Sequence, residues 1–430
     1  MTRRFKTATL IAAATALFVL PVVEWVRLSY FDILWPGPLH TAGSLLSLIG
    51  FVFLFIQFVL SSRVRLFESS LGLDRLIAVH RITGIITLCA FVLHAVCLFL
   101  FELFLGYLSI SIGKIIGMAT MALIIVGAGG ALFWRALGWR YETWKRLHYA
   151  GYLVLPIGLL HATRIGLTVN SSSLLRVYYL VLVGLWVVVV LSRVVRSLRA
   201  LRHPYVVTAI VRESHDIVSV HLEGPSLRFR AGQFMIVRLI EDGRVSETHP
   251  YTISSSPLEA QLRISAKAIG DFSGHLPEVP IGSRAICEGP FGAFTCDTLP
   301  GSTFVFIAGG IGITPFLSHL AALRERKDDR RIRLIWGNKT RQDIAFGREL
   351  ADAERELVDF HVIHVLSDEN WEGESGFVNA ALVQRHINSI EEAEFLVCGP
   401  PPMMRSVIPT LRSLGVKRSR VQFERFSLGR

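Results

Sequence analysis

LIAVHRITGIITLCAFVLHA (residues 76–95) and LHYAGYLVLPIGLLHA (residues 147–162) decide the reading of this 430-residue chain. Each is an apolar run with one histidine near its start and one near its far end: His80 and His94, then His148 and His161. An imidazole in lipid is costly, so an intramembrane histidine is read as functional by default. Fourteen residues separate the first pair and thirteen the second. At ~1.5 Å per residue either gap is roughly 20 Å along a helix, and a bilayer core is about 30 Å thick. Each pair therefore offers one imidazole toward each membrane face. If the two segments run the same way, His80 meets His148 and His94 meets His161. Two facing imidazoles at each level suit a six-coordinate haem iron. The residues lie too far apart along each helix to share one transition-metal ion.

The helical phase leaves one mismatch. Fourteen residues at ~100° return to within roughly 40° of the starting face, whereas thirteen miss it by about 140°. Pro156 lies inside the second pair. It removes a helix hydrogen bond and is expected to bend or unwind that segment.

Around these runs, residues 7–28, 40–61, 76–104, 113–134, 147–167 and 174–195 predict six apolar spans. The first follows Arg3, Arg4 and Lys6 as a signal peptide would, but it is long and lacks a clear cleavage site. Fourteen Lys and Arg residues flank one side of the spans, among them Arg63, Arg65, Arg135, Arg140, Lys145 and Arg146. The other side has four: Arg27, Lys114, Arg164 and Arg176. This asymmetry predicts both termini in the cytoplasm, and it makes the third and fifth spans parallel, as the histidine pairing requires. His80 and His148 then form an inner site, and His94 and His161 an outer one.

The net charge of +11 and the hydrophobic fraction of 51% fit this picture. The basic residues flank apolar spans, so they read as topology signals rather than a nucleic-acid surface. Five cysteines without a CxxC pair suit a reducing compartment. The lipid bilayer and a small electron acceptor are the expected partners, and no protein partner is indicated.

The 14 and 13 spacing on the third and fifth spans resembles the ferric reductase and NADPH oxidase superfamily of transmembrane flavocytochromes b. The resemblance covers nearly the whole chain and implies FAD, NADPH or NADH, and two b-type haems. It also implies electron transfer from cytosolic NAD(P)H to an external acceptor, either oxygen or ferric iron. A bacterial-type plasma membrane is the expected location. A non-enzymatic haem-binding membrane component is the alternative of a different class.

After His203 the composition changes. Short alternating runs at Tyr205–Val211, Ile217–Leu222, Phe234–Leu239, Gln261–Ser265 and Arg284–Glu288 predict a small antiparallel barrel. Within it, His249-Pro250-Tyr251-Thr252-Ile253-Ser254 resembles the flavin motif of ferredoxin reductases, with His249 in place of the usual arginine. That resemblance sets Tyr251 against the isoalloxazine and gives the Thr252 hydroxyl its N5. The stretch from Lys267 to Gly270 and Ser273 is expected to approach a phosphate.

From about Pro300 strands and helices alternate, which predicts a doubly wound α/β domain. Its first strand runs into Gly309-Gly310-Ile311-Gly312-Ile313-Thr314-Pro315, a turn that brings backbone N–H groups to a pyrophosphate. Cys398-Gly399-Pro400 and Glu424-Arg425-Phe426 resemble the family's nicotinamide-side and C-terminal motifs. The resemblance makes Thr252, Cys398, Glu424 and Phe426 the residues that shape the hydride-transfer site, with Phe426 over the flavin. Lys339 and Arg341 are candidates for a 2′-phosphate. The expected domains are a transmembrane bundle at 1–202, a flavin barrel at 203–298 and a nicotinamide domain at 299–430.

Overall fold

The computed structural model describes residues 3–29, 37–62, 67, 72–297 and 299–425. Arg63, Arg65, Phe426 and most of the loop at 29–39 lie outside these residues, as do the side chains of Arg3, Arg4 and Lys6. The chain forms two compact units, Met1–Val195 and Arg196–Arg430.

The first unit is helical: α1 (Arg3–Ser29), α2 (Gly37–Ser61), α3 (Leu73–Phe104), α4 (Ile112–Ile124), α5 (Tyr141–Tyr149), α6 (Val154–Ile165) and α7 (Ser173–Arg202, which runs on into the second unit). Among the described residues, five helical stretches are long and apolar enough to cross a bilayer: Thr7–Ser29, Gly37–Ser61, Arg75–Phe104, Ile112–Phe133 and Ser173–Arg202. The expected sixth, 147–167, is not one continuous helix. A 3₁₀ turn at Ala150–Leu153 separates α5 from α6, and Pro156 sits in the first turn of α6, where its missing N–H does least harm. This break reduces the phase mismatch. Four residues at about 120° instead of about 100° add roughly 80°, so His148 and His161 come within roughly 60° of one face.

Helix α2 is the most buried span. Leu48, Phe51, Val52 and Phe55 pack with Leu155, Leu175, Tyr179 and Leu182 in one apolar cluster. The Tyr179 hydroxyl donates to the Leu48 carbonyl at 3.1 Å. Near the end of α1, buried Glu24 accepts from Ser172 Oγ at 2.6 Å, which ties α1 to the segment before α7.

The second unit holds two sheets. The first is antiparallel, with β1 (Tyr205–Arg212), β2 (Ile217–Glu223), β3 (Phe234–Glu241), β4 (Arg244–Val245), β5 (His249–Thr252), β6 (Leu262–Lys267) and β7 (Arg284–Phe291) in the order β4-β3-β7-β1-β2-β6. Strand β5 pairs off the path with β3, and a single antiparallel bridge joins Ile253 to Ile264 of β6. Alternating residues such as Val218, Val220, Leu222, Met235, Val237 and Leu239 form its core. A short helix, α8 (Asp271–His275), follows β6.

The second sheet is parallel throughout, in the order β11-β10-β9-β8-β12-β13. Its strands are β8 (Thr303–Gly309), β9 (Arg331–Asn338), β10 (Phe360–Leu366), β11 (Glu374–Ser375), β12 (Glu394–Gly399) and β13 (Val421–Arg425). Helices α9 (Thr314–Glu325), α10 (Gly347–Glu356), α11 (Ala380–His386) and α12 (Pro401–Ser413) intervene. The core of β8 and β12 is fully buried on both faces, as expected of central parallel strands covered by helices. The chain moves outward from β8 and later returns to its other side with β12. The carboxyl ends of β8 and β12 thus frame the switch point, where open α/β sheets bind ligands.

Candidate functional sites

The four histidines are paired as their spacing predicts. The rings of His80 and His148 have centroids 6.1 Å apart at an interplanar angle of 81°. Those of His94 and His161 are 6.5 Å apart at 82°. An iron held by two imidazole nitrogens at roughly 2 Å each sets the ring centres roughly 6 Å apart, so both pairs fit a haem iron.

The surroundings also orient the rings. His94 Nδ1 lies 2.8 Å from the Gly43 carbonyl oxygen, His161 Nδ1 2.8 Å from that of Gly113, and His148 Nδ1 3.0 Å from that of Gly127. A carbonyl only accepts, so each Nδ1 carries the proton and each Nε2 keeps its lone pair for a metal. Gly127 belongs to a π-helical turn, Ile125–Gly129, an irregularity that often marks functional positions. Beside His161, a Cβ on Gly117 would stand 2.5 Å from the ring, so only glycine admits the imidazole there. Trp144 leans on His148, with centroids 5.5 Å apart, and stacks in turn on Trp134.

At the flavin motif, β5 pairs with β3 in the register Met235–Tyr251 and Val237–His249. His249 stacks on Phe272 at 3.8 Å, and Tyr251 lies 6.2 Å from the same ring. Burial pushes the Tyr251 phenol up, so it stays neutral. Thr252 is buried, and its Oγ1 has no hydrogen-bond partner among the described residues. A hydroxyl left in this way costs free energy unless a ligand completes it, which fits a flavin ring. Ile253 lies in the core, and Ser254 is held from behind by Ser265 Oγ at 2.9 Å and Arg263 Nε at 3.1 Å. Lys267 is engaged by Asp216 at 2.9 Å and Asp343 at 3.2 Å. Its ammonium therefore joins the flavin half to the loop after β9. Ser273 Oγ accepts from the N–H groups of Ile269 and Gly270, each at 3.1 Å, and closes the turn into α8.

The nicotinamide-side motifs come together. A Cβ on Gly312 would run into the Cys398 carbonyl oxygen, and one on Gly309 would meet Pro400 at 2.8 Å. The two turns therefore approach closely, with the Met403 side chain also against Gly309 and Gly399. Gly310, at φ +51°, faces open space, and its carbonyl accepts from Trp336 Nε1 at 2.9 Å. Thr314 is buried at the start of α9, with Pro315 in the first turn. Buried Cys398 is in register with Glu424 on the adjacent parallel strand. A Cβ on Gly292 would lie 3.4 Å from Glu424 Oε1, which places that carboxylate beside the end of the flavin sheet. Arg341 is held by Glu369, through its side chain at 3.1 Å and its main-chain N–H at 2.8 Å.

Some contributors escaped the reading of the sequence. Phe272 stands inside the Lys267–Ser273 stretch and signalled nothing beyond an aromatic. Trp336 lies in a strand and carried no signal of its contact with Gly310. Ser318 Oγ donates to the Ser255 carbonyl at 2.7 Å, and Arg263 pairs with Glu349 at 2.8 Å, so the two halves of the unit are locked by polar contacts that no local pattern marks.

Known proteins match the chain in three consecutive blocks. Residues 46–159 match the family described as ferric reductase like transmembrane component, 200–295 an FAD-binding domain, and 306–408 an oxidoreductase NAD-binding domain. NADH-cytochrome b5 reductase 1 of Debaryomyces hansenii is 36% identical over 164 residues, 37% of this chain and 58% of that protein. Its namesake from Candida glabrata is 31% identical over 199 residues, 44% of this chain and 70% of that protein. The chain spans about half the length of the curated relatives it matches. A flavohemoglobin structure from Malassezia yamatoensis, with bound FAD and heme, aligns at TM-score 0.51 and 17% identity over 91% of this chain and 98% of that one, a likeness of fold alone.

Proposed function

We infer that this chain, which belongs to the ferric reductase and NADPH oxidase superfamily with ferredoxin reductase-like FAD and NAD domains, is a transmembrane NAD(P)H-dependent oxidoreductase. It moves electrons from cytosolic NAD(P)H by way of FAD and two b-type haems to an external acceptor. The observation that carries this reading is the pairing of four histidines at two levels with ring separations of 6.1 and 6.5 Å. Bound flavin accepts a hydride and returns its electrons singly, and haem iron carries one electron at a time.

The chain's own residues supply placement. His80 with His148, and His94 with His161, would hold the two metals. His249, Pro250, Tyr251 and Thr252 line the flavin ring, with Ile253 and Ser254 bracing that strand from behind. Thr252 Oγ1 gives its hydrogen bond to the ring edge. Gly270 and Ser273 lie on the phosphate side, and Lys267 stiffens that loop through its two carboxylates. Gly309, Gly310, Gly312, Thr314 and Pro315 present main chain to the coenzyme pyrophosphate, while Cys398, Gly399 and Pro400 close the nicotinamide side with Glu424. Phe426, which lies outside the described residues, is the residue the family resemblance would set over the flavin until nicotinamide arrives. The functional domains on this reading are 1–202, 203–298 and 299–430, and the isolated Ile253–Ile264 bridge supports a barrel in the second. The broken 147–167 segment completes six spans in a bacterial-type plasma membrane, with both termini cytoplasmic.

His94 and His161 would together saturate the outer metal, which would leave the acceptor no ligand position and favour outer-sphere electron transfer. Oxygen, reduced to superoxide, fits such outer-sphere transfer. A ferric chelate is the rival acceptor. The test uses the purified whole protein supplied with FAD and haem. We expect two haems per chain and superoxide-dismutase-sensitive cytochrome c reduction driven by NAD(P)H. Dismutase-insensitive ferrozine trapping of ferrous iron would instead identify a ferric reductase. If neither acceptor is reduced above a His94→Ala control, both acceptors are wrong, and a whole protein that consumes no NAD(P)H would end the enzymatic reading.

A further inference from the structure

Three of the four histidines give Nδ1 to a main-chain carbonyl; His80 alone meets a side chain. Gln57, on α2, is buried, and one end of its amide lies 2.7 Å from His80 Nδ1 and 3.0 Å from the His80 carbonyl oxygen. The other end lies 2.5 Å from Thr83 Oγ1 and 2.9 Å from the Gly84 nitrogen. The main chain of α3 favours one orientation. The His80 carbonyl only accepts, so it calls for Nε2. The Gly84 N–H only donates, so it calls for Oε1. In that orientation Gln57 donates to His80 Nδ1, which places the imidazole proton on Nε2, the atom a metal needs.

The opposite orientation gives the ligand tautomer. His80 Nδ1–H donates to Gln57 Oε1, Gln57 Nε2–H donates to Thr83 Oγ1, and the Thr83 hydroxyl donates to the Val79 carbonyl at 2.8 Å. His80 Nε2 is then free, while Gln57 Oε1 faces the His80 carbonyl oxygen and Gln57 Nε2 faces the Gly84 N–H. Thr83 permits both states because a hydroxyl both donates and accepts.

We propose that Gln57 is a positioning residue of the inner site: its amide, 2.7 Å from His80 Nδ1, fixes that ring, and with Thr83 it sets how strongly the imidazole donates to the metal. This rests on the two-haem reading. An outer partner on the non-ligating nitrogen of a metal-bound histidine fixes the tautomer and tunes its basicity. Because the other three partners are main-chain carbonyls, which substitution cannot remove, the inner site is the one a side-chain change can retune.

The test is spectroelectrochemical titration of both haems in the whole, haem-loaded protein, with Gln57→Glu, Gln57→Leu and Thr83→Val. Gln57→Glu supplies a stronger acceptor and should move one haem's midpoint negative. Gln57→Leu removes the acceptor and should move the same midpoint positive, and Thr83→Val should shift it less in that direction. The second haem should stay unchanged. The Gln57→Glu shift should persist in a His94→Ala background, which assigns it to the inner site. Resonance Raman spectra should show the altered imidazole on that haem alone. Two loaded haems with unmoved midpoints in Gln57→Glu and Thr83→Val, or equal shifts of both haems, overturn the proposal. Wild-type protein that takes up no haem overturns the reading beneath it. Should Gln57→Leu fail to accumulate, Gln57→Glu and Thr83→Val decide the matter.

Discussion

His161 Nδ1 lies 2.8 Å from the carbonyl oxygen of Gly113, one helical turn from Gly117, whose missing side chain leaves room for the same ring. Helix α4 thus holds this imidazole by a hydrogen bond and by an absence of bulk. Gly117→Val fills the space, displaces the ring and should lower haem content from two per chain to one by pyridine haemochromogen assay. The near-perpendicular rings, at 81° and 82°, also predict strongly axial low-spin ferric signals in the wild-type EPR spectrum. Retention of both haems by the valine variant would show that the ring does not depend on that opening.

The orphaned hydroxyl of Thr252 gives a sharper test of the flavin site. Thr252→Val keeps the shape and removes the donor. We expect FAD to remain bound and flavin reduction by NAD(P)H to slow roughly tenfold, the worth of about one hydrogen bond. Thr252→Ser should restore most of the rate. Stopped-flow absorbance of the bound flavin measures both.

Gly312 sits against the Cys398 carbonyl with no space for a side chain. Gly312→Ala forces the two nicotinamide-side turns apart and should cost about 1–3 kcal/mol, as overpacking does. The loss should appear as a lower unfolding temperature together with a raised KM for the coenzyme. An alanine variant with wild-type KM and stability would mean that the turns move freely.

Glu369 occupies Arg341, one of the two candidates for a 2′-phosphate. The carboxylate competes with that phosphate for the same guanidinium. Glu369→Gln should therefore raise the preference for NADPH over NADH by roughly tenfold, about 1.4 kcal/mol. Steady-state kcat/KM ratios for the two coenzymes give the answer.

His319 is fully buried among Phe294, Phe306 and Phe316, with Nδ1 3.4 Å from Cys296 Sγ. Burial lowers its pKa to about 4, against about 6.5 for histidine in an unfolded chain. Between these values the unfolded chain binds a proton that the folded one refuses. Stability should therefore fall as pH drops from about 6.5 to about 4, by up to about 3 kcal/mol, and level off below. His319→Leu removes this slope. Unfolding of the whole protein at pH 7 and pH 5, for both forms, checks it.

Much of this molecule was legible along the chain, because its signals are local. Membrane spans declare themselves by length and apolarity, strands by alternation, and the glycine turn by its place between a strand and a helix. The pairing His80–His148 and His94–His161 followed from spacing and charge asymmetry alone, since a bilayer leaves few other arrangements. The phase of the second pair did not follow: only the 3₁₀ turn at Ala150–Leu153 rotates His161 into line.

Contacts between distant residues had no such marker. Gln57 is a polar residue in an apolar helix that reaches His80, and Lys267, in the stretch expected to approach a phosphate, is held by Asp216 and Asp343. Which carbonyl takes each imidazole proton, and which carboxylate takes each cation, depends on side chains that packing alone brings within 3 Å or so. Periodicity encodes which face of a helix or strand is apolar, and so the architecture follows from it. Hydrogen bonds act over a few ångströms and require direction, so their partners exist only once the helices and sheets have been set against one another.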